Sequence, residues 1–72
     1  MWEFTYRDIH VYEASNGFYI THIPTNETRG MGDGVDMYED TDVGTPEFYE
    51  LLEEDIVSNY REFLEAYFNI VE

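Results

Sequence analysis

The sequence predicts an α+β fold, namely an antiparallel β-hairpin or three-stranded sheet packed against one long C-terminal amphipathic helix. Three observations support this fold class. Apolar and polar residues alternate near the N-terminus, as in a half-buried strand. An Asn-Gly pair follows, which is typical of a tight hairpin turn. Apolar residues then recur every three to four positions over the last third of the chain, as on one face of a helix.

The length and composition indicate a single small acidic domain spanning residues 1–72. A domain of about 60 residues buries only about 60% of its unfolded surface, so a stable one needs a dense core. Hydrophobic residues make up 43% of the chain and aromatic residues 18%, which is too much for a disordered segment. The chain has no cysteine, which excludes disulfides and zinc–thiolate sites.

Residues 1–23 are predicted to form the hairpin. Its first strand runs from Trp2 to Tyr12, and the apolar alternation changes parity midway. That change favours a bulge near Arg7-Asp8 or a strand that is apolar on both faces. Asn16-Gly17 tolerates the positive φ angles of a type I′ turn, so the hairpin should reverse there. The returning strand covers Phe18–Ile23, which is rich in aromatic and β-branched residues.

Residues 24–45 are predicted to be an acidic connection. A structureless loop of this length is uncommon in so small a domain. The brief alternation over 35–38 (Val-Asp-Met-Tyr) therefore favours a short edge strand within it.

Residues 46–71 are predicted to form the helix. Thr45 suits the N-cap, and Pro46 suits the first helical position. The segment 59–62 (Asn-Tyr-Arg-Glu) resembles a capping box, which leaves open a break near Ser58-Asn59. The apolar stripe comprises Phe48, Leu51, Leu52, Ile56, Tyr60, Phe63, Leu64, Tyr67 and Val71.

The charge excludes several classes of function. Seventeen acidic residues face three basic ones, giving a formal net charge of −14. Direct nucleic-acid binding and attraction to anionic lipid both need cations, so neither is expected. A membrane span needs about 20 consecutive apolar residues, and no apolar run in the sequence is close to that length. The N-terminus lacks the features of a signal peptide. We therefore expect a cytoplasmic protein, in the host cell if a phage encodes it.

The acids are concentrated in the second half of the chain. Residues 1–32 hold four acids and two arginines, whereas residues 33–72 hold thirteen acids and only Arg61. Repulsion among the acids of the second half opposes folding, so their number calls for an explanation other than stability. Solubility needs a net charge of only about 2 to 8 in a small domain.

One explanation is that the acids imitate nucleic acid. Side chains three or four apart on a helix are about 5–6 Å apart, which is comparable with the about 3.4 Å advance per phosphate of a DNA strand. A ridge of carboxylates could then occupy the basic groove of a nucleic-acid-binding protein. The predicted partner-binding residues are Asp36, Glu39, Asp40, Asp42, Glu47, Glu50, Glu54 and Asp55.

In size, charge and lack of a catalytic set, the chain is similar to the small acidic proteins that phages use against host defence. These include nucleic-acid-mimicking anti-CRISPR and anti-restriction inhibitors. The resemblance implies a non-enzymatic inhibitor without a cofactor, and it transfers no residue roles.

Two alternatives account for the acidity or the apolar load differently. Proteins adapted to high salt are acidic and poor in lysine, although thirteen aromatic residues are a large apolar load for such a protein. The other alternative is a small acidic interaction module or homodimer subunit that acts through its aromatic helix face. For that reading the secondary apolar contact is Tyr67 and Phe68.

The remaining candidate sites have simple structural interpretations. His10 and His22 lie on the predicted hairpin, where histidines more often pack or hydrogen-bond than bind metal. The acids of residues 33–42 are oxygen-rich, but their glycines precede the acids, unlike an EF-hand. No nucleophile has a histidine at a sensible spacing, and the chain is too small to enclose a substrate pocket. We therefore expect neither an enzyme nor a metal site.

Overall fold

The computed structural model describes residues 1–34, 37–38 and 40–71, and it confirms the α+β class. Within these described residues, four strands precede two helices, and the helices pack on one face of the sheet. The elements are β1 (Glu3–Tyr6), β2 (Ile9–Ala14), β3 (Gly17–His22), β4 (Glu27–Gly32), α1 (Pro46–Ser58) and α2 (Tyr60–Phe68).

The strands form an antiparallel meander in the order β1-β2-β3-β4. The expectation of a hairpin or a three-stranded sheet is therefore wrong, because the sheet has four strands. The sequence analysis differed from this sheet in two places. It took β1 and β2 for one strand, and it assigned the residues of β4 to the acidic connection.

The first turn lies at Arg7-Asp8, where the sequence predicted a bulge within one strand. Arg7 adopts φ 51°, a left-handed conformation that arginine rarely takes, so residue type gave no turn signal. The turn also explains the change of parity. Tyr6 pairs with Ile9 and Phe4 pairs with Val11, so all four side chains lie on the same face of the sheet.

The second turn confirms the predicted hairpin but not its type. β2 ends at Ala14, which pairs directly with Gly17, so the turn residues are Ser15 and Asn16. Asn16 does not have a positive φ, whereas Gly17 has φ 142°. The type I′ assignment to Asn16-Gly17 is therefore wrong, because the turn residues are Ser15 and Asn16 and neither has a positive φ. The glycine instead opens β3.

β4 lies inside the segment predicted to be a connection. Its sequence, Glu-Thr-Arg-Gly-Met-Gly, has little β propensity, and five of its six residues are exposed. It nevertheless pairs with β3 on both sides of an irregularity at Met31, as the polar edge strand of the sheet. The strand predicted at 35–38 involves Val35 and Asp36, which lie outside the described residues, while Met37 and Tyr38 lie outside the strands.

The single long helix is also wrong, because the helical segment divides at Asn59, where the sequence had left a break open. Asn59 adopts φ −122°, far from the helical value of about −63°, and this residue separates α1 from α2. The division lets α1 lie on β1 while α2 packs on β3 and β4. α2 ends at Phe68, before the predicted residue 71, because Asn69 adopts the left-handed conformation of a C-cap.

The core lies between the helices and the inner face of the sheet. Thr45 accepts a hydrogen bond from the Phe48 amide at 3.3 Å and caps α1 as predicted. Within the described ranges, no helix has the length and apolar character needed to cross a membrane. The buried apolar side chains are Ile9, Val11, Phe18, Ile20, Phe48, Leu52, Ile56, Tyr60 and Leu64.

Candidate partner-binding surface

The outer face of α1 carries a row of three exposed acids, Glu47, Glu50 and Glu54, which we call the acidic stripe. Their spacing of three and four residues places them within about one sixth of the helix circumference. At 1.5 Å per residue, the stripe extends about 10 Å along the helix axis. Its side chains therefore present three carboxylates to solvent along one line.

The packing of α1 fixes the direction of the stripe. Phe48, Leu52 and Ile56 are fully buried on the opposite side of the helix. Rotating α1 to bury the glutamates would expose these three side chains and desolvate charges, and both changes are unfavourable. The acidic stripe is consequently held outward by the core.

Two further predicted acids lie just before α1. Asp40 and Asp42 are both exposed. The Asp42 carbonyl accepts hydrogen bonds from the Thr45 amide at 3.3 Å and the Thr45 hydroxyl at 2.7 Å. Because Thr45 is also the N-cap, Asp42 is tied to the same helix end as Glu47. Asp36 and Glu39, the other two acids predicted here, lie outside the described residues.

Asp55, the last predicted acid, is half-buried and already hydrogen-bonded. Its Oδ1 accepts from the Asn59 side-chain amide at 2.6 Å, and its Oδ2 accepts from the Tyr38 hydroxyl at 3.2 Å. Asp55 therefore joins α1 to the preceding segment and to the break between the helices. It lies beside the acidic stripe and is less available to a partner than the three glutamates.

Two more acids accept hydrogen bonds from aromatic side chains, which the sequence analysis did not predict. Trp2 Nε1 donates to Glu53 Oε2 at 2.9 Å, and the Tyr49 hydroxyl donates to Glu13 Oε1 at 2.8 Å. The Trp2 and Tyr49 rings stack with their centroids 5.4 Å apart. These bonds fasten α1 to the N-terminal strands, so part of the acidity is structural.

The aromatic–carboxylate contacts change how the tyrosines titrate. Burial, followed by the charge of Asp55 and the hydrogen bond to it, raises the pKa of Tyr38 well above its usual value. Burial, the hydrogen bond to Glu13 and its charge raise the pKa of Tyr49 in the same way. Burial and the charge of Asp55 raise the pKa of Tyr67. In each case ionising the phenol would place a second negative charge beside a carboxylate or in a dry site.

We therefore expect the domain to lose stability at alkaline pH. A tyrosine whose pKa is higher in the folded chain stabilises the fold fully below its unfolded pKa of about 10. That contribution is lost progressively as the pH rises from about 10 towards the raised folded value. Thermal unfolding followed by circular dichroism between about pH 8 and 11.5 should show the loss.

The matched variant for this prediction is Tyr49→Phe. This variant lacks one of the phenols whose pKa is raised by folding. Its stability should therefore fall less steeply above about pH 10 than that of the parent. Comparing each protein with its own value near pH 8 removes the pH-independent cost of losing the hydrogen bond to Glu13. Equal slopes for the two proteins would contradict the prediction.

The predicted secondary contact, Tyr67 and Phe68, is at the end of α2. The Phe68 ring lies 5.4 Å from the His22 ring, and the Arg29 guanidinium lies 5.7 Å from its centroid. Tyr67 stacks on Phe63 with ring centroids 5.9 Å apart. Both residues are half-buried. The contacts of Phe68 with His22 and Arg29 help to hold α2 against β3 and β4.

The two histidines lie on opposite faces of the sheet and do not come together. His10 Nδ1 is 2.6 Å from the Thr5 hydroxyl on the open face, whereas His22 is buried beneath α2 with Nδ1 2.8 Å from the Thr25 hydroxyl. Among residues 1–34, 37–38 and 40–71, no three acids or histidines are grouped so that they could hold a metal ion. Of the acids considered for calcium, Asp36 and Glu39 are outside that part of the chain.

Comparison with known proteins gave no further constraint. No protein-family model, curated protein or solved structure matches this chain. The functional argument therefore depends on the surface itself, namely the acidic stripe, the acids at its start and the charge balance around them.

Proposed function

We propose that this protein is a non-enzymatic inhibitor that mimics nucleic acid and occupies the basic nucleic-acid-binding site of another protein. The proposal includes the phage anti-defence type, such as anti-CRISPR or anti-restriction inhibitors. The partner would be a basic nucleic-acid-binding protein of the host, and the two would meet in its cytoplasm. No direct binding of nucleic acid is involved.

The observation that carries the proposal is the acidic stripe on a helix without basic residues. α1 contains five acids and no lysine or arginine, so nothing within the helix neutralises the stripe. A surface that is charged only for solubility usually intersperses both signs. A surface that competes for a basic groove gains from a single sign, because each added carboxylate increases the attraction.

The rigid attachment of α1 adds to the proposal. A flexible acidic tail loses conformational entropy when it binds, whereas a helix fastened by its core side chains has already lost it. Phe48, Leu52 and Ile56 anchor α1 to the sheet, and the Trp2–Glu53 hydrogen bond fastens its edge. The carboxylates of the stripe are therefore presented in a fixed row, as phosphates are along a duplex.

The alternative function is an interaction module or homodimer subunit that uses the aromatic end of α2. Its predicted contact residues are engaged within the chain, since Phe68 packs on His22 and Arg29. This leaves less free aromatic surface than the sequence suggested. The nucleic-acid mimic is therefore the function that the geometry supports better.

The test is capture of binding proteins from a bacterial lysate on the immobilised full chain. We expect basic nucleic-acid-binding proteins to be retained at about 0.1 M salt and released at about 1 M, where the screening length falls from about 10 to 3 Å. Duplex DNA should displace them, because it competes for the same groove. A partner that DNA cannot displace and that survives high salt would instead indicate apolar docking.

Charge-neutralised variants decide whether the stripe is responsible. The triple variant Glu47→Gln, Glu50→Gln, Glu54→Gln should lose capture by at least tenfold while remaining folded, because its three side chains are exposed. The control replaces three exposed acids outside α1, namely Glu3→Gln, Glu27→Gln and Glu65→Gln. Both variants lose three negative charges, so equal losses of capture would mean that net charge, and not the stripe, governs binding.

A further inference from the structure

β1 is an edge strand of the sheet. Within the described sheet, whose order is β1-β2-β3-β4, β1 and β4 each have a neighbouring strand on one side. An edge strand presents a row of backbone N–H and C=O groups with which another extended chain can pair. The edge of β1 is therefore one of two places where a further strand could join this sheet.

The register shows which backbone groups of β1 point outwards. In an antiparallel pair, residues that exchange hydrogen bonds alternate with residues that do not. The Glu13 amide donates to the Trp2 carbonyl at 2.9 Å, so Trp2 is turned towards β2, and the alternation turns Phe4 the same way. Glu3 and Thr5 consequently direct their N–H and C=O groups away from β2, and both residues are exposed.

The other edge, β4, is less suited to the addition of a strand. Its pairing with β3 is irregular at Met31, and a bulge of this kind disturbs the edge that a further strand would need. Glu27 and Arg29 also form an ion pair on β4, with Oε2 2.6 Å from Nη2. β1, by contrast, pairs with β2 without an irregularity. The edge of β1 is therefore the more regular template.

A groove lies beside this edge, between β1 and α1. It has a volume of about 360 Å³ and is lined by Phe4, Glu53, Glu54, Val57 and Ser58. Phe4 and Val57 give the groove apolar walls, and Val57 is 44% exposed. An added strand would direct every second side chain to this face of the sheet, because side chains alternate between the two faces. The groove would receive those side chains.

The acids around this edge lie on both faces of the sheet. Glu53 and Glu54 line the groove on the helix side, and Glu3 lies on the open side beside His10. Glu53 Oε2 accepts a hydrogen bond from Trp2 Nε1 at 2.9 Å, but an ionised carboxylate has about four acceptor positions and can accept further bonds. Glu54 is exposed. An added strand would thus meet a carboxylate on either face.

Two basic side chains lie near the edge, but neither lines the groove. His10 Nε2 is 3.5 Å from Glu3 Oε1 on the open face. Arg7 lies in the turn that follows β1, and its guanidinium is 5.6 Å from the Tyr6 ring centroid and 5.5 Å from that of Tyr60. Among the described residues, the groove is therefore lined by acids and by no base.

We propose that the edge of β1 binds an extended, lysine- or arginine-bearing segment of a partner protein as an added strand. The main chain of the segment would pair with Glu3 and Thr5, and its alternate side chains would enter the groove. Such a contact goes beyond the proposed function, because it recognises the backbone of the partner as well as its charge.

The charge and shape of the groove favour this occupant. A lysine or arginine can lay its aliphatic stem on Phe4 and Val57 while its cation reaches Glu54. A second copy of this chain would bring further acids to an acidic edge, and like charges on neighbouring strands are destabilising. Glu54 also belongs to the acidic stripe, so a partner that lies along the stripe reaches the groove without turning away from it.

The probe is the peptide acetyl-Thr-Val-Thr-Arg-Thr-Val-Thr-amide, titrated into the isotope-labelled full chain and followed by NMR. We expect saturable binding and slower hydrogen exchange of the Glu3 and Thr5 amides, because each would donate to the peptide. A peptide with glutamate in place of arginine should bind about tenfold more weakly or worse. Absence of saturable binding, protection confined to β4, or equal binding of the two peptides would overturn the inference.

N-methylation of the peptide distinguishes strand addition from attraction between charges. Only alternate residues of an added strand donate hydrogen bonds to the edge. Methylation at every second position should therefore weaken binding by about tenfold or more, whereas methylation at the positions between them should change it little. Equal effects at all positions would contradict the addition of a strand.

Thr5→Pro is the corresponding change in the protein. Proline removes the outward N–H of this residue and leaves the hydrogen bonds between β1 and β2, as prolines on edge strands do. We expect peptide binding about tenfold weaker than that of the parent, whereas the control Thr5→Val, which keeps the N–H, should bind like the parent. Unchanged binding by Thr5→Pro would overturn the inference. Thermal unfolding checks that both variants are folded, and the N-methylated peptides decide the question with the parent chain if Thr5→Pro is not.

The peptide experiments and the lysate capture test separate claims. If the peptide binds with the expected alternation while the triple glutamine variant still captures its partners, the proposed function is wrong and the strand addition stands. If the triple variant loses its partners while the peptide shows no alternation, the mimicry stands and the strand addition is wrong. Sedimentation of the full chain without peptide tests the other occupant, since a dimer with protected Glu3 and Thr5 amides would overturn the assignment of this edge to a basic segment.

Discussion

Replacing Phe48 by alanine is expected to cause the largest loss of stability of the substitutions considered for this domain. Phe48 is fully buried, and its ring lies 5.5 Å from those of Phe18 and Tyr38 and 5.8 Å from that of Tyr49. A buried phenylalanine replaced by alanine typically costs about 3–5 kcal/mol. A 72-residue domain has a total free energy of unfolding of about 4–11 kcal/mol. The loss is therefore a large part of the total stability.

Leu51→Ala is the matched control for this prediction. Leu51 lies on the same helix, three residues away, but is 38% exposed. Both substitutions place alanine in α1, so the helix propensity of the new residue is the same. We expect Phe48→Ala to lower Tm by about 15 °C or more and Leu51→Ala to lower it by only a few degrees. Similar shifts would mean that Phe48 is not a core residue.

The parts of the fold that the sequence predicted correctly depend on local chemistry. Thr45 and Pro46 mark the start of α1 because a cap hydroxyl and a proline each act on neighbouring backbone groups. The reversal before Gly17 has the same local origin. The buried residues of α1 also follow directly from its period of 3.6 residues.

The parts that it missed depend on contacts distant in sequence. β4 has a polar sequence and forms a strand because β3 offers it a hydrogen-bonding edge. Arg7 forms a turn with a positive φ, and its guanidinium lies over the ring of Tyr60, a residue 53 positions away. Neither contact leaves a signal in the local pattern.

The same limit applied to the candidate surface. Helical spacing was sufficient to place Glu47, Glu50 and Glu54 together on an exposed face. The same spacing gave Asp55 an equal role, but it could not indicate that Tyr38 packs beside Asp55 and donates a hydrogen bond to it. Periodicity predicts which side of a helix a residue lies on. Whether its carboxylate already accepts a hydrogen bond depends on the loops around it.

The acids of α1 and its neighbours fall into two groups according to their contacts. Glu13, Glu53 and Asp55 accept hydrogen bonds from tyrosine or tryptophan and help to fasten α1. The three acids of the stripe lie on the exposed outer face of the same helix. A habitat of high salt would account for acidity spread over the whole surface, but not for this division within one helix. The division favours a partner that recognises the outer face.

Gly17→Ala is the second substitution from which we expect a large loss of stability. A Cβ atom at Gly17 would lie 2.7 Å from the Gly32 carbonyl oxygen, a backbone atom at the end of β4 that cannot turn aside like a side chain. Gly17 also has φ 142°, a conformation that costs other residues about 1–3 kcal/mol. The end of β4 would have to move, so we expect a loss of at least about 2 kcal/mol.

Two glycines of β4, Gly30 and Gly32, separate the effect of the clash from that of the backbone strain. Gly32 has φ 87° with nothing within 4 Å of a built Cβ, so Gly32→Ala measures the strain alone. At Gly30 the nearest atom, Tyr19 Cε1, is 3.8 Å away, so Gly30→Ala measures neither effect. Thermal unfolding should rank the losses as Gly17→Ala greatest, Gly32→Ala intermediate and Gly30→Ala least. Equal losses at Gly17 and Gly32 would mean that Gly32 of β4 does not approach Gly17 of β3 closely enough for a Cβ atom to clash.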